Sequence, residues 1–176
     1  MAEVEGKGGQ VFVTVGTTLF DALVKEASSP PCRQALADLG YTSLIIQRGK
    51  GSFIPVESDG QDGGLKVLSF GFAPNLSEYI ASSALVISHA GSGSIFETLR
   101  AQRPLVVVVN DLLMDNHQCE LAEELAARKH LVYANSPATL IQTLKGMELP
   151  SLVPYTPSTP LAVVNALDKF LGFVDS

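Results

Sequence analysis

A Rossmann-like α/β domain on a doubly wound parallel sheet is what the chain predicts, and three observations carry that expectation. Runs such as Val11-Phe12-Val13-Thr14-Val15 and Leu105-Val106-Val107-Val108-Val109 are apolar nearly throughout, as strands covered on both faces must be. Segments with helical spacing separate these runs, which calls for crossover connections rather than hairpins. The 176 residues, 46% hydrophobic and 17% charged, suit one domain with a sizeable core.

Taken in order, Val11 to Val15 reads as a buried strand that ends at the turn-former Gly16. Residues 19–28 and 32–39 carry helical spacing, and Gly40 stops the second segment. Leu44-Ile45-Ile46-Gln47 is a second strand. Residues 55–64 combine turn formers with few apolar residues and read as a mobile loop, after which residues 65–70 form a third strand. Leu76 to Ser83 suits a short helix, Leu85 to Ser88 a fourth strand, Ser94 to Gln102 a helix and Leu105 to Val109 a fifth strand. A helix over Gln118 to Arg128 turns Leu121, Ala122, Leu125 and Ala126 to one side, followed by a strand at Leu131 to Tyr133 and a helix from Ala138 to Lys145.

The organisation is a Rossmann-like core over residues 10–148 and an appendage over 149–176, a Pro-rich strap and last helix expected to dock a partner. Pro150, Pro154, Pro157 and Pro160 make residues 149–160 an extended strap. Thr159 as cap and Pro160 at the first position open a last helix with Leu161, Val164, Leu167, Phe170 and Leu171 on one face, which packs on its own domain or docks another chain.

Charge and composition exclude several classes. With 18 acidic residues against 12 basic ones and no basic run, the chain lacks the footprint of a nucleic-acid binder. Its longest apolar run is far short of the roughly 20 residues that span a bilayer, and residues 1–10 lack a signal-peptide centre, so membrane association is expected only through a partner. Cys32 and Cys119 are too few for a disulfide framework, which favours the cytosol.

Three polar clusters follow three of the strands, and in a parallel sheet all would face one crevice. Gly16-Thr17-Thr18 lets backbone approach a phosphate or sugar, although a tight turn alone explains it equally. His89-Ala90-Gly91-Ser92-Gly93-Ser94 opens a helix whose first amides favour a diphosphate, with Glu97 one turn in, where a carboxylate accepts from ribose hydroxyls. As a bland alternative, the glycines only form a loop and Glu97 only complements the helix dipole. Asn116-His117-Gln118, after Met114-Asp115, offers the mixed donors and acceptors that sugar hydroxyls need, or is a capped polar loop. His89, His117 and His130 lack metal-ligand spacing, no Gly-x-Ser-x-Gly elbow occurs, and no Asp-x-Asp pair is placed to hold a divalent ion, so no metal and no cofactor is expected.

Phe12-Val13-Thr14-Val15-Gly16-Thr17-Thr18, Ile87-Ser88-His89-Ala90-Gly91-Ser92-Gly93-Ser94 with Glu97, and Asn116-His117-Gln118 stand in the order found in one glycosyltransferase family. Over residues 10–145 the chain resembles the soluble catalytic subunits of the eukaryotic transferase that adds the second N-acetylglucosamine to dolichol-diphosphate-linked N-acetylglucosamine. It is more distantly similar to the C-terminal half of the bacterial glycosyltransferase that makes lipid II. The resemblance implies the donor-binding half of a two-domain GT-B glycosyltransferase. It places Phe72 and Ala73 by the uracil, Glu97 on the ribose, and Gly91, Ser92, Gly93 and Ser94 at the diphosphate. Gly16, Thr17 and Thr18 lie across the cleft by the sugar and its phosphate, and Asn116, His117 and Gln118 hold the N-acetylglucosamine hydroxyls. His89 either assists the diphosphate or is structural. Metal-independent inversion with UDP-N-acetylglucosamine as donor is expected, the general base belonging either to a partner or to His89, this chain's one catalytic candidate. A membrane-anchored acceptor-binding subunit brings the lipid-linked sugar and recruits the chain to the cytosolic face of the endoplasmic reticulum. The alternative from another class is a non-catalytic nucleotide-sugar-binding regulatory module.

Overall fold

The computed structural model describes residues 8–112 and 117–157. Asn116 and the expected last helix, residues 160–171, lie outside the described residues. In chain order the elements are β1 (Gln10–Thr14), α1 (Asp21–Ser28), α2 (Pro30–Asp38), β2 (Ser43–Gln47), β3 (Ser58–Asp59), β4 (Lys66–Phe70), α3 (Ser77–Ala81) and β5 (Leu85–His89). α4 (Ser92–Arg100), β6 (Leu105–Val108), α5 (His117–Ala127), β7 (Val132–Ala134) and α6 (Leu140–Gly146) complete them.

The strands form one sheet in the order β3-β4-β2-β1-β5-β6-β7, parallel everywhere except between β3 and β4. Because side chains alternate along a strand, β1 sends Val11 and Val13 to one core and Phe12 to the other. On the first face Leu23 and Val24 of α1, Leu36 of α2 and Leu144 of α6 close over Val13, Ile46 and Val106. Ile80 of α3, Ile95 and Leu99 of α4 and Leu121 of α5 close the second face over Phe12, Val86 and Val107. Phe12 stacks on Tyr79 at 5.4 Å between ring centres. Two covered faces explain why these strands read as unbroken apolar runs.

The expectation of a mobile loop over 55–64 is corrected in part. Ser58 and Asp59 form β3, antiparallel to Val67 and Lys66 on the edge of the sheet. Two polar residues carry no alternation, so nothing in the local pattern marks them as a strand. Gly60 and Gly63, at φ 75° and 85°, make the return possible. Smaller shifts have local causes. α2 starts at Pro30 rather than 32 because the Cys32 amide donates to the Ser29 hydroxyl at 3.3 Å and Pro30 occupies the first turn. The segment expected as a helix over 138–145 divides into a 3-10 turn, Pro137–Thr139, and α6.

After a 3-10 turn at Leu149–Ser151 the strap runs extended to 157, as its prolines predict, and it is fastened to its own domain. The Val153 amide donates to the Lys129 carbonyl at 2.7 Å and the Gln102 amide side chain to the Tyr155 carbonyl at 2.7 Å. Tyr155 is buried, with Phe96 and His130 against its ring at 5.9 and 5.5 Å.

Candidate functional site

The chain leaves β1 toward β2 and β4 on one side and returns to β5 on the other, so the strand order reverses between β1 and β5. Loops at the carboxyl ends of such neighbouring strands diverge and leave a crevice. Gly16 follows β1 and Gly91 follows β5, so two of the three expected clusters flank this point.

Between them lies His89. An added Cβ on Gly16 would stand 2.7 Å from its Nε2 and one on Gly91 2.2 Å from its Cε1. The imidazole therefore fills the space that glycine leaves on both sides. Burial pushes its pKa down from 6.5 to about 4, so the ring is neutral at pH 7. The Ser94 hydroxyl lies 3.5 Å from its Nε2. Packing and one long polar contact describe this residue.

α4 begins at Ser92, with Gly91 as an extended cap residue that makes no side-chain capping bond. Its first backbone bond runs from the Ile95 amide to the Gly91 carbonyl at 3.1 Å. The amides of Ser92, Gly93 and Ser94 thus precede the helical ladder at the positive end of the dipole. Ser92 and Gly93 are exposed and Ser94 half-buried. Glu97 lies one turn further on, half-buried, and its Oε1 accepts the Ser77 hydroxyl proton at 2.6 Å. The Ser77 amide in turn donates to Asn75 Oδ1 at 2.8 Å. This chain of bonds ties Glu97 to the loop that carries Phe72 and Ala73 after β4. Phe72 is 59% exposed, an aromatic face turned to solvent, and Ala73 is half-buried.

On the β1 side, Thr17 and Thr18 are exposed, and the Thr18 hydroxyl is turned back to the Val15 carbonyl at 2.7 Å. A turn after β2 fits between this loop and the one after β4: the Lys50 amide donates to the Thr18 carbonyl at 3.1 Å and the Gly49 amide to the Gly71 carbonyl at 3.2 Å. Gly49 sits at φ 61°, and a Cβ there would stand 2.4 Å from the Thr18 carbonyl oxygen, so only glycine fits. Beneath both loops lies Gln47, 1% exposed and bonded to each.

Of the third cluster, the backbone of His117 and Gln118 opens α5 after β6, at the same edge of the sheet. Val109, Asn110, Cys119, Glu123 and Tyr133 line a cavity beside that helix start. Burial, with Cys119 and Glu123 nearby, pushes the Tyr133 phenol up to about 12, which keeps it protonated. Cys32 is a core residue whose thiol burial and then Glu26 push up to about 12. Among the described residues no three His, Cys, Asp or Glu side chains converge as a metal-ligand set, and no helix is long and apolar enough to cross a membrane.

Residues 10–169 match the glycosyltransferase family 28 C-terminal domain. The chain belongs to this family. The human UDP-N-acetylglucosamine transferase subunit ALG13 is 47% identical over 123 residues, which is 70% of this chain and 11% of that protein. The chain thus spans about a tenth of the length of its human and mouse relatives, 11% and 12%. The Saccharomyces cerevisiae subunit of the same name is 34% identical over 177 residues and is covered to 87% of its length. The solution structure of ALG13 superposes with a TM-score of 0.68 at 31% identity, over 92% of this chain and 96% of that one. MurG of Acinetobacter baumannii shares the fold at a TM-score of 0.63 and 19% identity, over 93% of this chain and 50% of MurG. The family 28 architecture is therefore the one the sequence predicts, a Rossmann-like sheet equivalent to half of a two-domain glycosyltransferase.

Two residues escaped the reading of the sequence. Gln47 reads as the last residue of an apolar strand, and its bonding partners lie 24 and 31 positions away. Ser77 reads as an ordinary first-turn serine, and its bond to Glu97 crosses 20 positions. A polar residue closing an apolar strand at the carboxyl edge was the available signal for Gln47.

Proposed function

We propose that the family 28 domain binds UDP-N-acetylglucosamine in the crevice between β1 and β5 and is the donor-binding, catalytic subunit of a heteromeric N-acetylglucosaminyltransferase. The observation that carries this reading is one juxtaposition. The amides of Ser92, Gly93 and Ser94 open α4 opposite the Gly16 turn, while Glu97, held by Ser77, reaches the loop of Phe72. A diphosphate at the helix start, a ribose on the carboxylate and a base against the exposed ring occupy these three features in the order of a nucleoside diphosphate. The relatives' name, UDP-N-acetylglucosamine transferase subunit, supports the choice of nucleotide and sugar.

In this reading the acceptor is N-acetylglucosamine-diphosphate-dolichol, presented by a membrane-anchored subunit at the cytosolic face of the endoplasmic reticulum. The reaction is the second step of N-glycan precursor assembly. The acceptor hydroxyl attacks the anomeric carbon opposite the UDP leaving group and inverts it. Charge on the departing diphosphate meets the α4 amides and dipole, without a metal ion. Neutral His89 spaces the two glycine turns, and the base that takes the acceptor proton is on the partner. Asn116, His117 and Gln118 hold the sugar, and the strap and last helix, residues 149–174, dock the partner.

Calorimetry with UDP tests the site. Glu97→Ala is expected to weaken binding by about 1.5–3 kcal/mol, the worth of hydrogen bonds to a charged group, and equal affinity in both proteins counts against the assignment. Transfer is then assayed with the lipid acceptor and a membrane fraction containing the partner. UDP binding without disaccharide-lipid formation under those conditions favours a regulatory nucleotide-sugar module instead.

A further inference from the structure

Gln47 ends β2 in an environment that is otherwise apolar, and its primary amide is used on every side. Its Oε1 accepts from the Thr14 hydroxyl at 2.6 Å, the Gly16 amide at 3.0 Å and the Val15 amide at 3.2 Å. Its Nε2 donates to the Gly16 carbonyl at 2.7 Å and to the Gly71 carbonyl at 2.9 Å. Apart from Thr14, the last residue of β1, these partners belong to two loops that no strand ladder joins, one after β1 and one after β4, on either side of β2. Burying an amide is unfavourable unless it is fully bonded, and the preceding residues of β2, Leu44 to Ile46, show that the strand otherwise favours apolar side chains. No other side chain supplies the set. A glutamate accepts but cannot donate, so its charge would face two carbonyl oxygens; a leucine does neither.

We propose that Gln47 is a positioning residue for the donor: it locks the Gly16–Thr18 loop and the Gly71–Ala73 loop at one separation, so that a nucleoside diphosphate meets a preformed cleft. This role, which rests on the donor-binding reading above, makes both walls answer to one buried amide. The turn over Gly49 and Lys50 repeats the link in the backbone, from Thr18 to Gly71. Preformed walls spare the ligand the ordering of two loops, and loss of the lock returns that cost to binding.

The test is UDP calorimetry on wild type, Gln47→Glu and Thr14→Val, each shown folded by circular dichroism, at pH 7.5 and 5.5. Gln47→Glu should weaken UDP about tenfold at pH 7.5, the scale of lost hydrogen bonds to fixed groups. A buried carboxylate facing carbonyls takes up a proton well above the ordinary carboxylate range, and the acid form regains one donor. The penalty relative to wild type should therefore shrink at pH 5.5, which a mere loss of stability in a folded sample does not produce. Thr14→Val keeps shape and removes two bonds, the one its hydroxyl donates to Gln47 and the one it accepts from the Gly16 amide at 3.1 Å, with a loss of about threefold expected. Should Gln47→Glu fail to fold, Thr14→Val decides. Folded variants that bind UDP as tightly as wild type at pH 7.5, or a Gln47→Glu penalty equal at both pH values, overturn the role of Gln47 while leaving the donor site standing. A wild type that does not bind UDP overturns the donor reading, and this role with it.

Discussion

Two glycine turns face each other across His89, and they need glycine for different reasons. Gly16 stands at φ 61°, in the left-handed region, and also abuts the imidazole. Gly91 is extended, at φ −69° and ψ 129°, a conformation any residue adopts, and needs glycine only because His89 is there. The first turn is stapled from beneath by Gln47 and Thr14, whereas the second leads into a helix start whose amides are turned outward. One wall of the crevice is thus fixed by its own backbone and the other by a neighbour. Glycine in a sequence does not distinguish these cases; the ring between them does.

Substitutions separate the two. Gly16→Ala meets both penalties, left-handed strain and overpacking, and should cost about 2–5 kcal/mol in chemical denaturation. Removing the ring with His89→Ala should recover only part of that loss. Acid is the next largest lever. His89 is held neutral to about pH 4, while in the unfolded chain it takes up a proton near 6.5, so its contribution is complete above 6.5 and is lost as pH falls toward 4. The full effect is at most about 3 kcal/mol, and in His89→Gln that part of the decline of stability with pH should vanish. Gly91→Ala carries the overpacking alone, about 1–3 kcal/mol, and His89→Ala in the same chain should recover most of it. If both alanines respond equally to removal of the ring, the contrast between the turns is broken. Ser77→Ala should leave stability nearly unchanged and weaken UDP by about 0.5–1.5 kcal/mol, since it frees rather than removes the Glu97 carboxylate.

What the sequence disclosed follows the reach of each interaction. Of the six strands it marks, β3 being the exception, the central β1, β5 and β6 are buried on two faces and announce themselves as apolar runs, and the start of α4 shows because serine and glycine there leave the first amides accessible. Ser58-Asp59 was invisible because a two-residue strand owes its existence to the neighbouring edge, not to its own residues. The state of His89 was equally hidden. Its neutrality comes from the packing around it, which spacing along the chain does not report. Gln47 and Ser77 act across 20 or more positions, and their residue types alone also fit a strand end and a helix turn.

The outer strands of the sheet have a consequence for assembly. β3 is two residues long, one of them an aspartate, and β7 is three. Such stubs offer a neighbouring molecule almost no ladder to extend, which guards against runaway edge-to-edge polymerisation. Association is thereby steered to loops and helices, where shape and side-chain chemistry, rather than generic main-chain pairing, choose the companion.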